Sequence, residues 1–213
     1  MEYVMSDIHG EADRFYKMLE LISFQPEDHL YILGDVIDRG TDGVDLLLDI
    51  MQRPNITMIL GNHEDMMLAT LGNDSVPNAR QLWASNGGNK TRRELLYHRT
   101  SADRHAILKF CESLPTELYI TVAGKEYHLV HGYPSTKPLD QIWGRVTPGT
   151  RIEGATCIVG HTPTVYLTGV ENEPYCVYYG DGWIDIDCGC GNMMNPFRRL
   201  ACLCLDDLQE YYI

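Results

Sequence analysis

Positive charge is scarce in this chain. Its 213 residues carry 17 Lys and Arg against 30 Asp and Glu, a formal net charge of -13. No basic run or stripe is visible, and phosphate-backbone binding needs one, so no nucleic-acid partner is expected. Long apolar runs are missing as well: none approaches the roughly 20 residues that cross a bilayer. The start, Met1-Glu2-Tyr3-Val4-Met5, lacks the basic stretch and cleavage site of a secretory leader. These absences lead to the expectation of a cytoplasmic protein with no membrane partner. Cysteine is present, but the count of seven is odd and spread along the chain. That pattern fits reduced thiols better than a disulfide framework. Cys188 and Cys190, like Cys202 and Cys204, have the spacing of metal pairs. Alternate positions on a strand share a face, however, and small buried residues recur there for packing, which is the reading preferred.

With 44% hydrophobic and 22% charged residues, the chain has enough apolar content for one large core, and a single domain over 1–213 is expected. Three times in the first third an apolar run ends in a polar cluster and passes into a helical pattern. Tyr3-Val4-Met5 ends in Ser6-Asp7-Ile8-His9-Gly10, before Phe15, Met18, Leu19 and Ile22 recur at helical spacing. Leu30 to Leu33 ends in Gly34-Asp35-Val36-Ile37-Asp38-Arg39-Gly40, before Val44, Leu47, Leu48 and Met51. Ile56 to Leu60 ends in Gly61-Asn62-His63-Glu64-Asp65, before Met66, Met67 and Leu68. This is a βαβαβ start to an α/β protein, and its parallel strands put their carboxyl ends along one edge.

Residues 72 to 105 read as helices and loops without a strand, and His105 to Leu114 as a helix. Strands are expected at Leu118 to Val122, Tyr127 to Val130, Cys157 to Val159, Val165 to Val170, Cys176 to Tyr179, Trp183 to Ile186 and Leu200 to Leu205. Two of these end in histidine, at Val130-His131-Gly132 and Gly160-His161-Thr162. Asp7, His9, Asp35, Asn62, His131 and His161 therefore all sit where an apolar run stops. Ligands of open α/β sheets bind at such strand ends. Carboxylate, imidazole and amide oxygen without thiolate suit manganese, iron or zinc in an open coordination sphere. A bridging aspartate can hold two ions about 3.5 to 4 Å apart, the arrangement that clamps both oxygens of an in-line displacement at phosphorus.

Asp7-Ile8-His9-Gly10, Gly34 to Gly40 and Gly61 to Glu64 resemble the three signature blocks of the phosphoprotein phosphatase family, within the calcineurin-like metallophosphoesterases. His131 and His161 are similar to its remaining metal histidines. Order and spacing match over roughly residues 3 to 190. The resemblance implies a central pair of mixed β-sheets flanked by helices, with the site at one end of the sandwich. It implies two divalent metal ions, manganese in the first instance, one on Asp7, His9 and Asp35 and the other on Asp35, Asn62, His131 and His161. It makes His63 the general acid, oriented by Asp38, and it assigns phosphate binding to Arg39 and, from Trp143-Gly144-Arg145, to Arg145. Attack by a hydroxide bridging the ions, without a phosphoenzyme, follows from the same resemblance. Ser6 departs from the glycine of the eukaryotic enzymes and many bacterial ones, and only a small local change is expected there. Glu64 is read as stabilising the turn or the following helix N-terminus.

Within the family, symmetrical dinucleoside tetraphosphate hydrolases typically have Ala-Arg-Gly and Gly-Asn-His-Asp where this chain has Asp38-Arg39-Gly40 and Glu64. Trp83 to Thr91 resembles a Trp-x-x-Asn-Gly-Gly stretch of small bacterial and phage protein phosphatases. Both features point to a serine/threonine protein phosphatase, with phosphotyrosine open, acting on phosphoprotein or phosphopeptide partners. The alternatives are the nucleotide hydrolase and a metal-dependent binding module without turnover. Tyr175 to Tyr179 allows two readings, a groove lining or ordinary strand packing.

Overall fold

Alternate residues of β1 (Glu2–Met5) point to opposite sides, Tyr3 and Met5 into one apolar cluster and Val4 into another. The computed structural model describes residues 1–72 and 76–213, and this alternation organises them into layers. β1 pairs in parallel with β2 (His29–Ile32), which pairs in parallel with β3 (Ile56–Met58). The connections are α1 (Ala12–Leu21) and α2 (Gly43–Ile50), so the βαβαβ start is present as expected. β3 leads into α3 (Asn62–Leu71). On α2 the buried face is Val44, Leu46, Leu47 and Ile50, with Leu48 and Met51 at its margin.

The region after α3 holds α4 (Ala79–Ser85), α5 (Asn89–Arg93), a π-helical turn at Glu94–His98 and α6 (Ser101–Ser113). It contains no strand among the described residues, and residues 73–75 of the expected helix-and-loop stretch lie outside them. α6 begins ahead of the expected His105 because Thr100 and Asp103 form a capping box, each side chain accepting from the other's backbone N–H. β4 (Glu117–Val122) and β5 (Lys125–Val130) follow as an antiparallel hairpin. Then come α7 (Pro138–Trp143), β6 (Thr156–Val159), α8 (Val165–Thr168), β7 (Tyr178–Tyr179), β8 (Trp183–Asp185), β9 (Ala201–Cys204) and β10 (Glu210–Tyr212).

The strands form two mixed five-stranded sheets, ordered β10-β9-β1-β2-β3 and β4-β5-β6-β8-β7. Val4, Leu33, Ile59 and Leu203 of the first meet Leu129, Ile158 and Ile184 of the second in the core between them. The opposite face of the first sheet packs Met5, Ile32 and Met58 against Phe15, Met18, Leu47 and Met67 of the helices. The outer face of the second sheet buries Cys157, Val159 and Trp183 against Val146 and Leu167. No helix of the described residues is long and apolar enough to cross a membrane.

Several expected elements differ. Val165 to Val170 is not a strand: Val165–Thr168 is a helical turn that Gly169 ends at φ 69°. β-branched and aromatic residues fit a strand, but the run follows Pro163 and buries Leu167 in the outer core, so local propensity yields to packing. Only Tyr178–Tyr179 of the expected Cys176–Tyr179 strand pairs. Cys202 and Cys204 share one face of β9 in the helix-side core, as the packing reading requires, and all seven thiols are free. Cys188 and Cys190 lie beyond β8 and enter different cores, so strand alternation does not describe them.

Candidate active site

The carboxyl ends of β1, β2, β3, β5 and β6 bring nine of the ten expected residues to one edge of the molecule, and the segment after α7 adds Arg145. Asp35 occupies the centre. Its Oδ2 lies 3.7 Å from His9 Nε2 and 3.8 Å from His63 Nε2, while its Oδ1 lies 3.5 Å from His131 Nε2. The two oxygens of one carboxylate thus face two different histidine sets. On the first side Asp7 Oδ1 is 3.8 Å from His9 Nε2. On the second, Asn62 Oδ1 is 3.0 Å from His131 Nε2, and His131 and His161 have ring centroids 5.0 Å apart.

The remaining atoms of these side chains are tied back. His9 Nδ1 is 3.2 Å from the Ile37 carbonyl and His131 Nδ1 is 2.6 Å from that of Leu33. Nδ1–H donated to those carbonyls leaves the Nε2 lone pairs free to face the centre. Asp7 Oδ2 accepts from Ser6 Oγ at 2.5 Å and from the His161 backbone N–H at 3.0 Å, leaving Oδ1 for the centre. Ser6 therefore does more than fill the place of a glycine, since its hydroxyl holds a carboxylate.

The backbone here is unusual. Asp7, His9, Asp35, Asp38, Arg39 and His161 all have φ between 51° and 72°, a conformation that ordinary residues adopt rarely and that collects at functional sites. Gly61 is required for a separate reason: a Cβ there would overlap Asp35 Oδ1 and its backbone nitrogen. At Gly160 a Cβ would overlap Ser6 Oγ and Asp7 Oδ2.

Glu64 holds this arrangement from below. Fully buried in the first turn of α3, its carboxylate accepts from the backbone N–H of Asp35 at 2.8 Å, Val36 at 2.9 Å and Ile37 at 3.3 Å. Neither its own turn nor the N-terminus of α3, the two places the sequence suggested, is what Glu64 serves; it holds the turn after β2. Glu64→Ala leaves three buried donors without an acceptor, at about 1–3 kcal/mol each before relaxation. The expected loss in a urea titration of the metal-free protein is about 2–5 kcal/mol; a change below about 0.5 kcal/mol, the size of an ordinary surface substitution, means that water replaces the carboxylate.

Burial pushes His9 well below its ordinary range, with the Arg39 charge and His63 adding to the effect. It pushes His161 down to about 2, helped by His131 and Arg145. Burial pushes Asp35 well above the usual carboxylate range, His63 opposing and Asp7 and Glu64 reinforcing. His9 and His161, held neutral, beside an Asp35 that resists ionisation form a donor set whose central carboxylate a divalent cation would ionise. Among the described residues, His9, Asp35 and His63, and Asp35, His131 and His161, are the two trios whose ligand atoms converge within 4.8 Å.

The sequence profile of the calcineurin-like phosphoesterases matches residues 3–184. The chain belongs to the calcineurin-like phosphoesterase family. Serine/threonine-protein phosphatase 1 of Salmonella typhimurium is 30% identical over 175 residues, 76% of this chain and 78% of that protein. A symmetrical bis(5'-nucleosyl)-tetraphosphatase of Haemophilus ducreyi is 39% identical over 71 residues, 32% of this chain and 26% of that protein. A crystal structure described as a candidate diadenosine tetraphosphatase superposes with a TM-score of 0.66 at 16% identity, covering 100% of this chain and 92% of that one, and so shares the fold. As a calcineurin-like phosphoesterase the chain is a hydrolase of a family that uses divalent metals, and its buried histidine and aspartate trios fit such ions.

Beside the phosphoesterase centre, His63 Nδ1 is 2.6 Å from Asp38 Oδ2, and the Trp83 indole N–H donates to the same oxygen at 2.7 Å. Arg39 Nη2 donates to His63 Nε2 at 3.2 Å, which places the imidazole proton on Nδ1, facing Asp38. Thr91 Oγ1 accepts from the Asp38 N–H at 3.1 Å. Arg145 reaches the centre from beyond α7, donating to the His161 carbonyl at 2.8 Å. Trp143 Nε1 donates to Asp65 at 2.9 Å and so ties α7 to the helix that carries Asn62. Trp83, Thr91 and Asp65 were not read from sequence as parts of the site. Nor was Asp187, a buried carboxylate two residues past β8 that lines the same cavity and is held above its usual range by burial and by Asp7.

Proposed function

We propose that the protein is a phosphoprotein phosphatase, releasing phosphate from serine or threonine side chains by direct attack of water. The observation that carries this reading is Asp38 bonded to His63 Nδ1 at 2.6 Å, because the nucleotide hydrolases of the family typically have alanine at that position. Trp83, from the stretch that resembles the small protein phosphatases, buttresses the same carboxylate. The relatives agree in extent: the Salmonella phosphatase aligns along three-quarters of the chain, the nucleotide hydrolase along a third.

Two divalent ions, when bound, supply Lewis acidity at the phosphoryl oxygens and acidify the attacking water. We assign Asp7, His9 and Asp35 to one ion and Asp35, Asn62, His131 and His161 to the other, with manganese as the first choice. Arg39 and Arg145 both line the cavity and present guanidinium forks to the phosphate oxygens. Once Arg39 turns from His63 to the phosphate, Nε2 can take up a proton; His63 then gives that proton from Nε2 to the departing oxygen, and Asp38 stabilises the imidazolium through Nδ1. Asn62 and His63, adjacent in the chain, thereby serve the metal and the leaving group respectively. A cytoplasmic setting accords with this role.

Manganese-dependent phosphate release from matched phosphoserine, phosphothreonine and phosphotyrosine peptides, run beside a dinucleoside tetraphosphate, tests the assignment. Faster turnover of peptides is expected. Dominant release of nucleoside diphosphate makes the chain a nucleotide hydrolase, and no turnover of either at full metal occupancy makes it a binding module.

A further inference from the structure

Positive charge is scarce in this chain, but it is not evenly spread. Residues 76–93 hold Arg80, Lys90, Arg92 and Arg93, four of the 17 basic residues, and no Asp or Glu. Such a run is ordinarily a solvated face, and only its place in the fold can give it a further meaning. Here the turn between α4 and α5 is fastened to Arg39, which lines the cavity. The Arg39 N–H donates to the Gly87 carbonyl at 3.4 Å, and Lys90 Nζ donates to the Arg39 carbonyl at 3.1 Å. The fit is close, since a Cβ on Gly87 would come within 2.9 Å of Arg39 Cγ. Asn86 of the same turn lines the cavity itself.

Lys90 and Arg93 are both exposed and stand three residues apart on α5, which makes them neighbours on one face. Neither forms an ion pair among the described residues, whereas Arg14, Arg53, Arg99 and Arg198 each have a carboxylate. An ammonium has three donors, and the Arg39 carbonyl takes one from Lys90. Unpaired positive charge is thus held at a fixed place beside a residue assigned to the phosphate.

We propose that Lys90 and Arg93 form a basic rim that selects phosphorylated segments carrying aspartate or glutamate next to the phosphoserine or phosphothreonine. The proposal rests on the phosphoprotein reading above and names its substrate class. With a net charge of -13, the molecule as a whole repels such a segment, so local positive charge is needed to take it. A neutral segment leaves both cations in water at no cost. Selection therefore works by attraction and weakens with salt.

The test measures, by fluorescence anisotropy, the Kd of the manganese-loaded protein for labelled peptides built around a non-hydrolysable phosphonate analogue of phosphoserine, flanked by aspartates or by asparagines. Two exposed ion pairs should favour the aspartate peptide by about two- to twentyfold at low salt. The ratio should fall towards one at about 0.5 M salt. Lys90→Gln with Arg93→Gln should bring it near one at low salt, through the aspartate peptide. Arg93→Glu reverses the charge without touching the bond from Lys90 to Arg39, and should lower the ratio further than Arg93→Gln does. A wild-type ratio of one, a ratio that these variants leave unchanged, or equal binding of the aspartate peptide without its phosphonate overturns the rim. Turnover decides the other reading separately. If phosphopeptides are inert and a dinucleoside tetraphosphate is cleaved, the phosphoprotein reading fails, while the ratio still shows whether the rim takes acidic segments.

Discussion

His63→Asn lowers kcat on a phosphoserine peptide by about 10² to 10⁴, the usual worth of a positioned general acid, while manganese content stays at the wild-type level. The second half of that result matters because His63 Nε2 also lies near Asp35 and His9, and the three make one of the convergent donor trios. A histidine that held the ion would lower metal content when replaced. The hydrogen bonds favour the acid: Nδ1 faces Asp38, itself held by Trp83 and Thr91, and this support orients an imidazole whose other nitrogen faces the cavity. Leaving-group dependence supplies an independent readout. A phenol, with a pKa of about 10, departs with less need of a proton than an alkyl alcohol does. The loss caused by His63→Asn should therefore be smaller on an aryl phosphate than on phosphoserine. Equal losses on both, or a fall in bound manganese, would remove His63 from the acid role.

The convergence of the candidate ligands was legible in the sequence because each follows an apolar run, and strand ends in such a sheet converge. Nothing in the spacing of His131 and His161 from Asp35 shows that they meet, whereas the parallel pairing of β5 with β6 brings their ends side by side. Asp187 satisfies the same strand-end rule after Trp183–Ile186, and its carboxylate could have been flagged with the others. Trp83 and Thr91 could not. They reach Asp38 from helices whose placement depends on packing, and neither residue type signals an acceptor or donor at that distance in sequence. Glu64 was visible, but its partners were not, because it serves backbone nitrogens of the preceding block and backbone groups leave no trace in composition. The misreading of Val165 to Val170 has a similar origin: four to six apolar and β-branched residues carry too little periodicity to choose between a strand and a turn of helix. The left-handed backbone at Asp7, His9, Asp35 and His161 was also hidden, since aspartate and histidine tolerate that region better than most residues without requiring it.

Asp35→Ala abolishes paired metal binding, because it removes the only carboxylate whose two oxygens face both histidine sets among the described residues. Loss of a group that merely orients a ligand already costs about 10- to 100-fold in metal affinity, so removal of the bridge should exceed about 10²-fold at both positions. Alanine also accepts the φ of 54° at this position poorly, and a folding defect could imitate a metal defect. Asp35→Asn separates the two. Asparagine tolerates the left-handed backbone, and its amide oxygen can still accept the His63 N–H that Asp35 Oδ1 now takes at 2.9 Å. It removes only the charge and one oxygen acceptor. Without metal, Asp35→Asn should be at least as stable as wild type, since burial disfavours the carboxylate it replaces. With manganese at a hundred times the wild-type Kd, wild type gains about 2.7 kcal/mol by mass action, and the variant gains little. Thermal unfolding with and without manganese reads that difference directly, and two ions still bound per chain in Asp35→Asn would show that the bridge lies elsewhere.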